Sequence, residues 1–548
     1  MPDQSWMNYE VYRNRSASGG VNTYRYPFDI EDNQAVDLTN IDISRPGVRA
    51  IRSGMSLTAT GAAYGPPLCL QEYMGSTFQS ELLMVAPGDV FPTAAHLRLW
   101  SWKGNTSTWN LIGTLTGFTS ATMPVEITVG LDLNASGGPA VARISTKDAV
   151  PHSYVYNGSS IALCSGPRCE PSTGCFPTVN HLNRGYAGGR STTARGKVHY
   201  SDPGSFTVTG WDATQSLTMG GGSRQEIIAL KTFRQGNLLV FMADRTEMLS
   251  NTESPLSPDI TNGIARTVID PRIGCGARRS VVSMGEDVFF VDQFGSVRSI
   301  AKTINDNLQG AKSLPVSWQI QTWIDRINPV AMEAIVAEGI DRLYVVGFPI
   351  DTATTASHVF VFDRINEAWS GPWTGGWTPY SMAVATLNQA SYGPDQQPRL
   401  YLGSPSYTGA NVYRTFDGTT DAGAPIAYQE TGKRINAGQI ETKKLFRRLR
   451  DYYAATGTAT MQVELCINGA GFQHLGYVGL SGTLPQLPKT LPFTLSGVGL
   501  IEDTKTLEDY ENVNDIQFRW TCTANVDVQH VGYSVMFHRK NIDWTPNA

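Results

Sequence analysis

The feature that most restricts the fold of this chain is a short unit that recurs along most of its length. Each copy combines a run of β-branched or aromatic residues with a Gly, Asn or Asp turn and a second short run. Successive copies start roughly 40 to 70 positions apart, a spacing that suits four-stranded propeller blades with loops of variable length. We therefore predict an all-β fold built on a β-propeller of about six to eight blades. Seven copies are visible: ELLMVAPG (81–88), SYVYNG (153–158), KVHYSDPG (197–204), NLLVFMAD (237–244), DVFFVDQFG (287–295), RLYVVGFP (342–349) and RLYLGSP (399–405).

One copy shows why the runs are interpreted as strands. In SVVSMGEDVFFVDQFGSVRSI (280–300), three short apolar runs are separated by MGED and DQFG turns. Val288 and Phe290 alternate with Phe289 and Val291, so both faces of this strand would be buried between neighbouring sheets. β-branched and aromatic residues crowd these runs, which disfavours a helix. The 54 glycines and 30 prolines are scattered through the chain, as turns between many short strands require.

A different pattern occurs in one insertion between two copies. Trp318, Trp323 and Ile324 recur at helical spacings ahead of Pro329. This pattern predicts a short helix over residues 316–327, placed between blades. Packing explains its aromatic residues better than any ligand site does.

Both ends of the chain differ from the repeats. The N-terminal residues are polar and rich in turn formers, with SASGG at 16–20, and show no sustained helical periodicity. Near the other end, Ile516, Phe518 and Trp520 alternate with polar residues, which is typical of antiparallel strands with one solvated face. We therefore predict three parts: an extended N-terminal arm (1–60), a β-propeller (61–431) and a C-terminal β-sandwich-like platform or interface domain (432–548).

Composition and charge exclude several classes of protein. Apolar residues make up 41% of the chain and charged residues 17%, so it can bury a large core. Its net charge of −5 provides no long-range attraction to nucleic acid or to anionic membranes. We expect neither secretion nor membrane insertion, because no signal-like N-terminus and no apolar stretch of membrane-spanning length occurs. Seven cysteines are an odd and sparse set, which fits synthesis in a reducing cytoplasm.

Residues that could carry catalysis are few. Asp270, Arg272, Arg278 and Arg279 lie together in DPRIGCGARRS, and a glycosidase needs paired carboxylates, with an arginine cluster for a sialic acid substrate. We favour a loop between blades as the explanation of this segment. SDPGSFTVTGW (201–211) loosely resembles the Asp-box turn of sialidase propellers and is interpreted as a structural turn. No residue is assigned to catalysis, and we expect that the chain is not an enzyme.

Three cysteines come close to a metal-site pattern. Cys164, Cys169 and Cys175 are separated by five and six positions, and His181 follows them. A structural zinc site needs four ligands in a tetrahedral set, usually with tighter cysteine pairs. We favour incidental thiols in a turn-rich loop over a metal site, and a disulfide among them is the remaining alternative. No cofactor or metal ion is expected.

The densest basic cluster lies near the start of the predicted C-terminal domain. It contains Lys443, Lys444, Arg447, Arg448 and Arg450. Such charge runs usually form a solvated face or pair with acidic groups on a neighbour. Because the rest of the chain is acidic, we predict that this cluster contacts another subunit or partner, and we favour that over nucleic acid.

Several strings resemble one family of virion proteins. GGVNTYRYPFDIEDNQAVDLTNIDISRPGVRAIRSG (19–54) resembles the opening of many phage virion proteins, where a Gly-Gly-hydrophobic-Asn start precedes a run ending in Arg-x-Gly. KVHYSDPG followed by Trp211, then LLVFMADRTEMLS (238–250), then GCGARRSVVSMGEDVFFVDQFGSVRSI (274–300), resembles the order of blades in the tail-nozzle and packaged-DNA stabilisation (tail tubular) proteins of short-tailed bacteriophages. These strings together cover about half of the chain.

The resemblance implies a structural virion protein of the phage tail, synthesised in the host bacterial cytoplasm. Such a chain would form a homo-oligomeric ring, a hexamer in this family, that contacts portal or adaptor proteins and tail fibres. The ring would surround the DNA exit channel, retain packaged DNA and conduct it during ejection, with transient and non-specific passage of DNA. The alternatives are a tail-tip glycan-binding or sialidase-like propeller, and a hub that anchors fibres.

Overall fold

Short strands joined by turns make up most of this chain in the computed structural model. The structure describes residues 9–14, 18–45, 47–59, 65–75, 80–88, 96–104, 106–116, 118, 124–132, 140–147, 153–164, 175–189, 195–206, 211–220, 225–234, 236–250, 252, 264–308, 313–387, 397–404, 411–436, 443–481, 500–507, 510 and 513–539. The strands assemble into a β-propeller and a C-terminal β-sandwich. Among the described residues, no helix is long and apolar enough to cross a membrane.

Within the described residues, five short strands precede the first blade of the propeller. They are β1 (Glu10–Asn14), β2 (Asp37–Thr39), β3 (Ile41–Asp42), β4 (Arg49–Ile51) and β5 (Met55–Ala59). Four of them, β1, β2, β4 and β5, pair with strands that come hundreds of residues later in the chain. The fifth, β3, pairs with β4 and so joins the same sheet.

Each of the first four blades is an antiparallel sheet of consecutive strands. Blade 1 contains β6 (Cys69–Met74), β7 (Ser80–Pro87), β8 (Leu97–Trp102) and β9 (Asn110–Leu115). Blade 2 contains β10 (Val125–Leu131), β11 (Ala140–Thr146), β12 (Ser153–Tyr156) and β13 (Ile161–Leu163). Blade 3 contains β14 (Cys175–His181), β15 (Arg184–Gly189), β16 (Lys197–Ser201) and β17 (Trp211–Thr218). Blade 4 contains β18 (Ile227–Phe233), β19 (Asn237–Met242), β20 (Thr246–Ser250) and β21 (Ala265–Asp270).

The last three blades depart from that pattern. A 3-10 turn at Arg278–Ser280 leads into blade 5, which contains β22 (Val282–Met284), β23 (Asp287–Val291) and β24 (Val297–Ser299) and is followed by helix α1 (Ile300–Leu308). Blade 6 contains β25 (Val336–Ile340), β26 (Leu343–Phe348), β27 (His358–Asp363) and β28 (Ala368–Trp373). Blade 7 contains β29 (Ser381–Ala385), β30 (Arg399–Gly403) and β31 (Val412–Thr415), and its outermost strand is β5 from the N-terminal segment.

The insertion between blades 5 and 6 is helical, as its sequence predicts. It contains a 3-10 helix at Val316–Ile320, the single-turn helix α2 (Gln321–Ile324) and a 3-10 helix at Pro329–Ala334. The predicted helix over 316–327 is therefore present as two short turns rather than as one regular helix.

The seven blades close into a ring. The first strands of consecutive blades lie beside one another in the order β6, β10, β14, β18, β22, β25 and β29, and β29 returns to β6. Blade 7 is completed by β5, whose residues Ala59 to Met55 pair antiparallel with Val412 to Thr415 of β31. Pairing a strand from the start of the chain with the last blade joins the two ends of the ring and covers a strand edge. The prediction of an all-β propeller is confirmed, and each of the seven repeats lies in a different blade.

Blade 5 shows how the alternating runs build the interior. Val288 and Phe290 belong to one hydrophobic cluster, whereas Phe289 and Val291 belong to another, and all four are at most 2% exposed. Burying a side chain of this size contributes about 1.5–3 kcal/mol. Each strand thus stabilises two blade interfaces at once.

The C-terminal module contains two facing sheets, to which strands of the N-terminal segment also belong. Its own strands are β32 (Thr420–Asp421), β33 (Ala424–Thr431), β34 (Lys444–Ala455), β35 (Ala459–Ile467), β36 (Phe472–Leu480), β37 (Ile501–Thr506), β38 (Ile516–Ala524) and β39 (Val528–Arg539). One sheet has the order β36-β35-β38-β33-β2. The other has the order β37-β34-β39, with β1 and β4 both paired to β39 and β3 paired to β4. Phe446 and Phe537 of one sheet share a buried cluster with Phe518 and Trp520 of the other, as expected for a β-sandwich.

The two modules share strands and core. Strand β2 bridges them, because Leu38 pairs with Gly371 of blade 6 on one side and with Glu430 of the sandwich on the other. The hydrophobic cluster of the sandwich continues into blade 6, where it includes Phe360 and Trp369. Strand β33 lies inside the range predicted for the propeller, 61–431, yet it pairs in the sandwich, because strand partners depend on contacts that local sequence does not specify.

Candidate functional site

The central axis of the propeller contains a cavity of about 220 Å³ at the end where the first strands begin. Residues from all seven blades, or from the segments that lead into them, line this axial cavity. In blade order these include Leu68, Pro124, Phe176, Glu226, Arg278, Ala334 and Tyr380. A ring of inner strands places these side chains together although they are far apart in sequence.

Arg279 closes one side of the axial cavity. Its guanidinium donates hydrogen bonds to the backbone carbonyls of Tyr380 (2.6 Å), Glu333 (3.3 Å) and Leu68 (3.5 Å). It also lies 5.5 Å from the centre of the Tyr380 ring. Burial, together with the positive charge of Arg278, lowers the pKa of Arg279. This arginine therefore joins blades 1, 5 and 7 through main-chain acceptors.

Arg278 reaches the opposite side of the axis. Its Nη1 lies 3.6 Å from Oε2 of Glu126, and its guanidinium lies 4.3 Å from the centre of the Phe176 ring. The same oxygen of Glu126 accepts a hydrogen bond of 2.9 Å from the backbone N–H of Thr178. Adjacent arginines of one 3-10 turn thus contact blades on both sides of the cavity.

A lysine bridges two carboxylates at the mouth of the axial cavity. Lys147 Nζ lies 2.9 Å from Oε1 of Glu333 and 3.5 Å from Oε1 of Glu226. Burial acts to raise the pKa of Glu333, but the hydrogen bond from Lys147 and the positive charges of Arg278 and Arg279 outweigh it and lower the pKa. Glu333 is therefore ionised at neutral pH, and one ammonium group holds two carboxylates close together.

Deeper on the axis, a second cavity of about 140 Å³ adjoins the first and is lined in part by Cys69 and Glu338. Burial raises the pKa of the Glu338 carboxyl, although the charge of Lys231 opposes the shift. Burial also raises the pKa of Cys69 to about 11, so this thiol is a poor nucleophile at neutral pH. The axis therefore changes from paired charges at its mouth to less readily ionised groups inside.

The residues singled out in DPRIGCGARRS separate into two groups. Arg278 and Arg279 line the axial cavity, whereas Asp270 accepts hydrogen bonds from the backbone N–H groups of Arg272 and Ile273 in the turn after β21. Asp270 and Arg272 thus lie in a loop between blades, as predicted, whereas Arg278 and Arg279 belong to the axial cavity.

The sequence interpretation missed the acidic partners and the lysine. Glu126 and Glu226 lie at or just before the start of the first strands of blades 2 and 4, and Glu333 lies shortly before blade 6. Aligning the repeats by their first strands, rather than by their most apolar runs, would have placed these carboxylates at one end of the ring.

The five residues of the predicted basic cluster do not form one patch. Lys444 is buried, and its Nζ donates a hydrogen bond of 3.0 Å to the backbone carbonyl of Asn514. Arg447 is half-buried, whereas Lys443, Arg448 and Arg450 are exposed. A strand turns successive side chains to opposite faces, so a run of charges in sequence is divided between them.

The predicted cysteine cluster lies largely outside the described residues. Cys164 follows β13 and is half-buried. Cys169 is outside the described residues, as is the side chain of Cys175. The interpretation of these three residues as incidental thiols stays a prediction.

Comparisons with known proteins find structural likeness alone. No family model matches the chain, and no curated protein matches its sequence. Among solved structures, Sqt1 of Saccharomyces cerevisiae is 10% identical, with 66% of this chain and 99% of that chain covered and a TM-score of 0.36. An exo-beta-1,3-galactanase from Phanerochaete chrysosporium is 10% identical, with 89% and 100% covered and a TM-score of 0.26. A glycoside hydrolase family 43 arabinoxylan arabinofuranohydrolase from Bacillus subtilis is 8% identical, with 88% and 99% covered and a TM-score of 0.24.

The prediction that the chain is not an enzyme is corrected by these comparisons. Two of the structures named above are glycoside hydrolases, and an all-β fold by itself does not exclude catalysis. Identities near 10% with TM-scores below 0.4 assign neither a family nor a reaction to this chain. The chain is an all-β protein, with a seven-bladed propeller joined to a C-terminal β-sandwich.

Proposed function

We propose that this chain is a structural subunit of a phage tail nozzle. Several copies would form a ring around the DNA exit channel, retain the packaged DNA and conduct it during ejection. The order of the repeat strings and the N-terminal string 19–54 are the sequence features that favour this family. The structural observation that restricts it most directly is the axis of the propeller, which side chains cross, so that DNA could pass only outside a single copy.

The closed axis matters because a conduit for DNA needs a wide passage. Arg278, Arg279 and Lys147 connect the blades across an axial cavity of about 220 Å³. The major groove of duplex DNA is by itself about 12 Å wide, so a duplex does not fit along this axis. A channel would have to be bounded by the outer surfaces of several copies, which is the arrangement of a ring.

The coupling of the two modules also suits a part that bears load. Arg52, between β4 and β5, forms a buried ion pair with Asp421 at 2.5 Å, and its guanidinium lies 5.3 Å from the centre of the Trp377 ring and 5.9 Å from that of Trp373. Shared strands and a shared core leave no flexible linker between the described parts of the two modules. A rigid two-module unit resists the pressure of packaged DNA better than two domains on a tether would.

The nozzle proposal is tested by the size and position of the assembly. We expect purified full-length protein to form a ring by light scattering, with a mass near that of a hexamer. Antibody labelling of intact particles in negative stain should place it around the tail axis. A monomer, or label hanging from the side of the tail, would contradict the proposal, and a trimer would indicate a fibre or spike.

A second candidate function is the binding or cleavage of glycans in the axial cavity. The observation in its favour is the pair of carboxylates, Glu226 and Glu333, held together by Lys147 beside Arg278 and the Tyr380 ring. Paired carboxylates carry out glycoside hydrolysis, and aromatic rings commonly pack against sugar rings.

Incubation with host surface polysaccharide tests this second function. Release of oligosaccharide by the wild-type protein, and its loss in both Glu226→Gln and Glu333→Gln, would support catalysis in the axial cavity. Glu502→Gln, on an exposed strand of the sandwich, is the matched control and should retain any activity. Absence of product from the wild type, together with no binding of the polysaccharide, would rule this function out.

A further inference from the structure

The outer sheet of the sandwich presents a flat exposed face that no part of the described chain covers. In the register of the sheet, Arg13 of β1 lies opposite Ser534 of β39, and Ser534 lies opposite Arg450 of β34. In the next row, Val11 lies opposite Met536, which lies opposite Arg448. Directly opposed residues of antiparallel strands share a face, so these side chains form one surface, here called the arginine face.

The arginine face is exposed at its arginines and at Val11, and half-buried at Ser534 and Met536 between them. Arg13, Arg448 and Arg450 are exposed, and 44% of Val11 is accessible to solvent. The residues between them in sequence point the other way, as Leu449 does with no exposure. Alternation along the strands therefore separates a sealed inner face from an open outer one.

The composition of the arginine face is that of a protein interface. Its positively charged groups are arginines, and Val11, Met536 and Tyr452 lie among them. Arginine, methionine and aromatic residues are enriched in protein–protein interfaces, where lysine is depleted. A surface that binds the phosphates of nucleic acid gains nothing from an exposed valine and a half-buried methionine, so protein is the better match.

Charge indicates which protein surface would match. Glu502, 3.7 Å from Arg450, is the carboxylate that β37 adds beside this face in the described part of the chain, so the face keeps an excess of positive charge. The whole chain has a net charge of −5 and is therefore acidic elsewhere. Exposed carboxylates occur at hairpin turns of blades 5 and 6, at Glu286, Asp341 and Glu367. A second copy of the chain can therefore supply the complementary charge.

We propose that the arginine face binds the acidic surface of a neighbouring copy of this chain and forms the contact that closes the ring. The inference rests on the proposed ring-forming function and names the surface responsible. The contact is heterologous, since a basic face on one copy meets a different, acidic surface on the next, and repetition of such a contact closes a ring. Strand β39 pairs with both β1 and β34, so backbone hydrogen bonds hold the two strands that carry the arginines in a fixed register before binding.

Charge reversal tests the contact. The variant R13E/R448E/R450E and the control K103E/R195E/R272E, whose three residues are exposed on the propeller, change the net charge equally. We expect wild type and control to form rings by light scattering, and the face variant to be monomeric, with at least a tenfold weaker association. Because exposed ion pairs are screened by salt, the wild-type ring should also weaken between low salt and about 1 M salt.

The outcomes separate the two proposals. A monomeric wild type would contradict the ring itself. A ring in both the wild type and the face variant would leave the ring intact and overturn the assignment of the arginine face. If the face variant kept the ring but lost binding to duplex DNA, the arginine face would be a nucleic-acid binding surface and the inference would be wrong. The neutral variant R13Q/R448Q/R450Q, compared by circular dichroism and mass, shows whether loss of the ring comes from misfolding.

Discussion

The propeller and the sandwich each contain a cluster of charged groups, but the two clusters differ in their access to water. In the axial cavity, the side chains that pair with Lys147 are 33% and 68% exposed, and Lys147 is 26% exposed. In the sandwich, Arg49 Nη1 lies 3.0 Å from Oε1 of Glu430, and Nδ1 of His530 lies 2.8 Å from Oε2 of the same carboxylate. None of these three sandwich side chains is more than 3% exposed.

That difference changes what each cluster does. Water and salt screen the axial pairs, so they contribute little to stability and remain available to a ligand. The sandwich cluster is desolvated, so each charge depends on its partners. Arg49 comes from the N-terminal segment, and Glu430 and His530 come from strands that follow the propeller, so this cluster fixes the N-terminal segment in the sandwich. Stability should therefore respond strongly to changes in the sandwich cluster and weakly to changes in the axial one.

The largest effect is expected for Glu430→Gln. It removes the negative charge that faces both Arg49 and His530, and breaking one partner of a buried pair costs about 3–5 kcal/mol. Urea unfolding followed by tryptophan fluorescence measures the loss. Glu502→Gln, on the exposed outer face of the facing sheet, should change stability by no more than about 0.5 kcal/mol. Equal losses in the two variants would contradict the role assigned to burial.

A slightly smaller effect is expected for Arg52→Leu, at the junction of the modules. The variant leaves Asp421 without its partner, in a site where Arg52 is fully buried and Asp421 is 8% exposed, so we expect a loss of about 3 kcal/mol. The matched control is Arg326→Leu, because the Arg326–Asp351 pair at 2.7 Å is about half exposed. Thermal unfolding measures both variants, and that control should lose about 1 kcal/mol or less. A comparable loss in both would show that the junction is not held by its buried pair.

A smaller effect is expected in the pH dependence of stability, which the buried charges of the sandwich cluster should produce. Burial acts to raise the pKa of Glu430, but Arg49 and His530 outweigh it and lower the pKa to about 2. Because this pKa is lowered on folding, its stabilising contribution is present above the unfolded value, about 4.3, and is lost as pH falls towards 2. Wild-type unfolding measured from pH 6 to pH 2 should show this loss, and Glu430→Gln should show less of it. An identical acid dependence in both proteins would exclude Glu430 as its source.

His530 gives the opposite sign when the unfolding series is extended to pH values above 6.5. Burial acts to lower its pKa, but Glu430 and Asp451 outweigh burial and raise it. Its contribution is therefore complete below the unfolded value of about 6.5 and is lost as pH rises through the higher folded pKa. His530→Gln should flatten the alkaline side of the stability profile.

The smallest effect is expected for Lys147→Met in the axial cavity. The lysine is partly exposed and bridges two carboxylates that keep contact with water, so its removal should cost about 1 kcal/mol or less. Thermal unfolding measures the change, and Lys103→Met, on an exposed turn of blade 1, is the control. A loss of several kcal/mol would mean that the axial pairs hold the propeller together as firmly as the buried cluster holds the sandwich.

Parts of the fold could be predicted because their signals are local. A run such as DVFFV at 287–291 specifies a doubly buried strand by its own alternation, and the following DQFG turn uses Asp292 as an acceptor for backbone N–H groups of Phe294 and Ser296. Gly295, with a φ of +87°, supplies the left-handed residue of that turn. Each repeat could therefore be assigned to a strand and its turn from its own residues alone.

The candidate site could be predicted only in part. Arg278 and Arg279 attracted notice because they are adjacent in sequence, whereas Glu126, Lys147, Glu226 and Glu333 are isolated charges in four different segments. The basic run from Lys443 to Arg450 was visible, but its division into a buried lysine and exposed arginines depends on strand direction and on the bulge between Phe446 and Arg448. Convergence of distant residues leaves no local pattern in a sequence.

The sequence by itself determined the short strands, the turns and the seven repeats, since alternation and turn chemistry act between residues a few positions apart. Tertiary structure alone decided that β5 completes blade 7, that β1, β2 and β4 enter the sandwich, and that seven segments meet around one axis. The physical reason is that a strand edge can pair with any compatible edge, and the choice depends on which pairing buries the most apolar surface and satisfies the most buried charges in the whole chain.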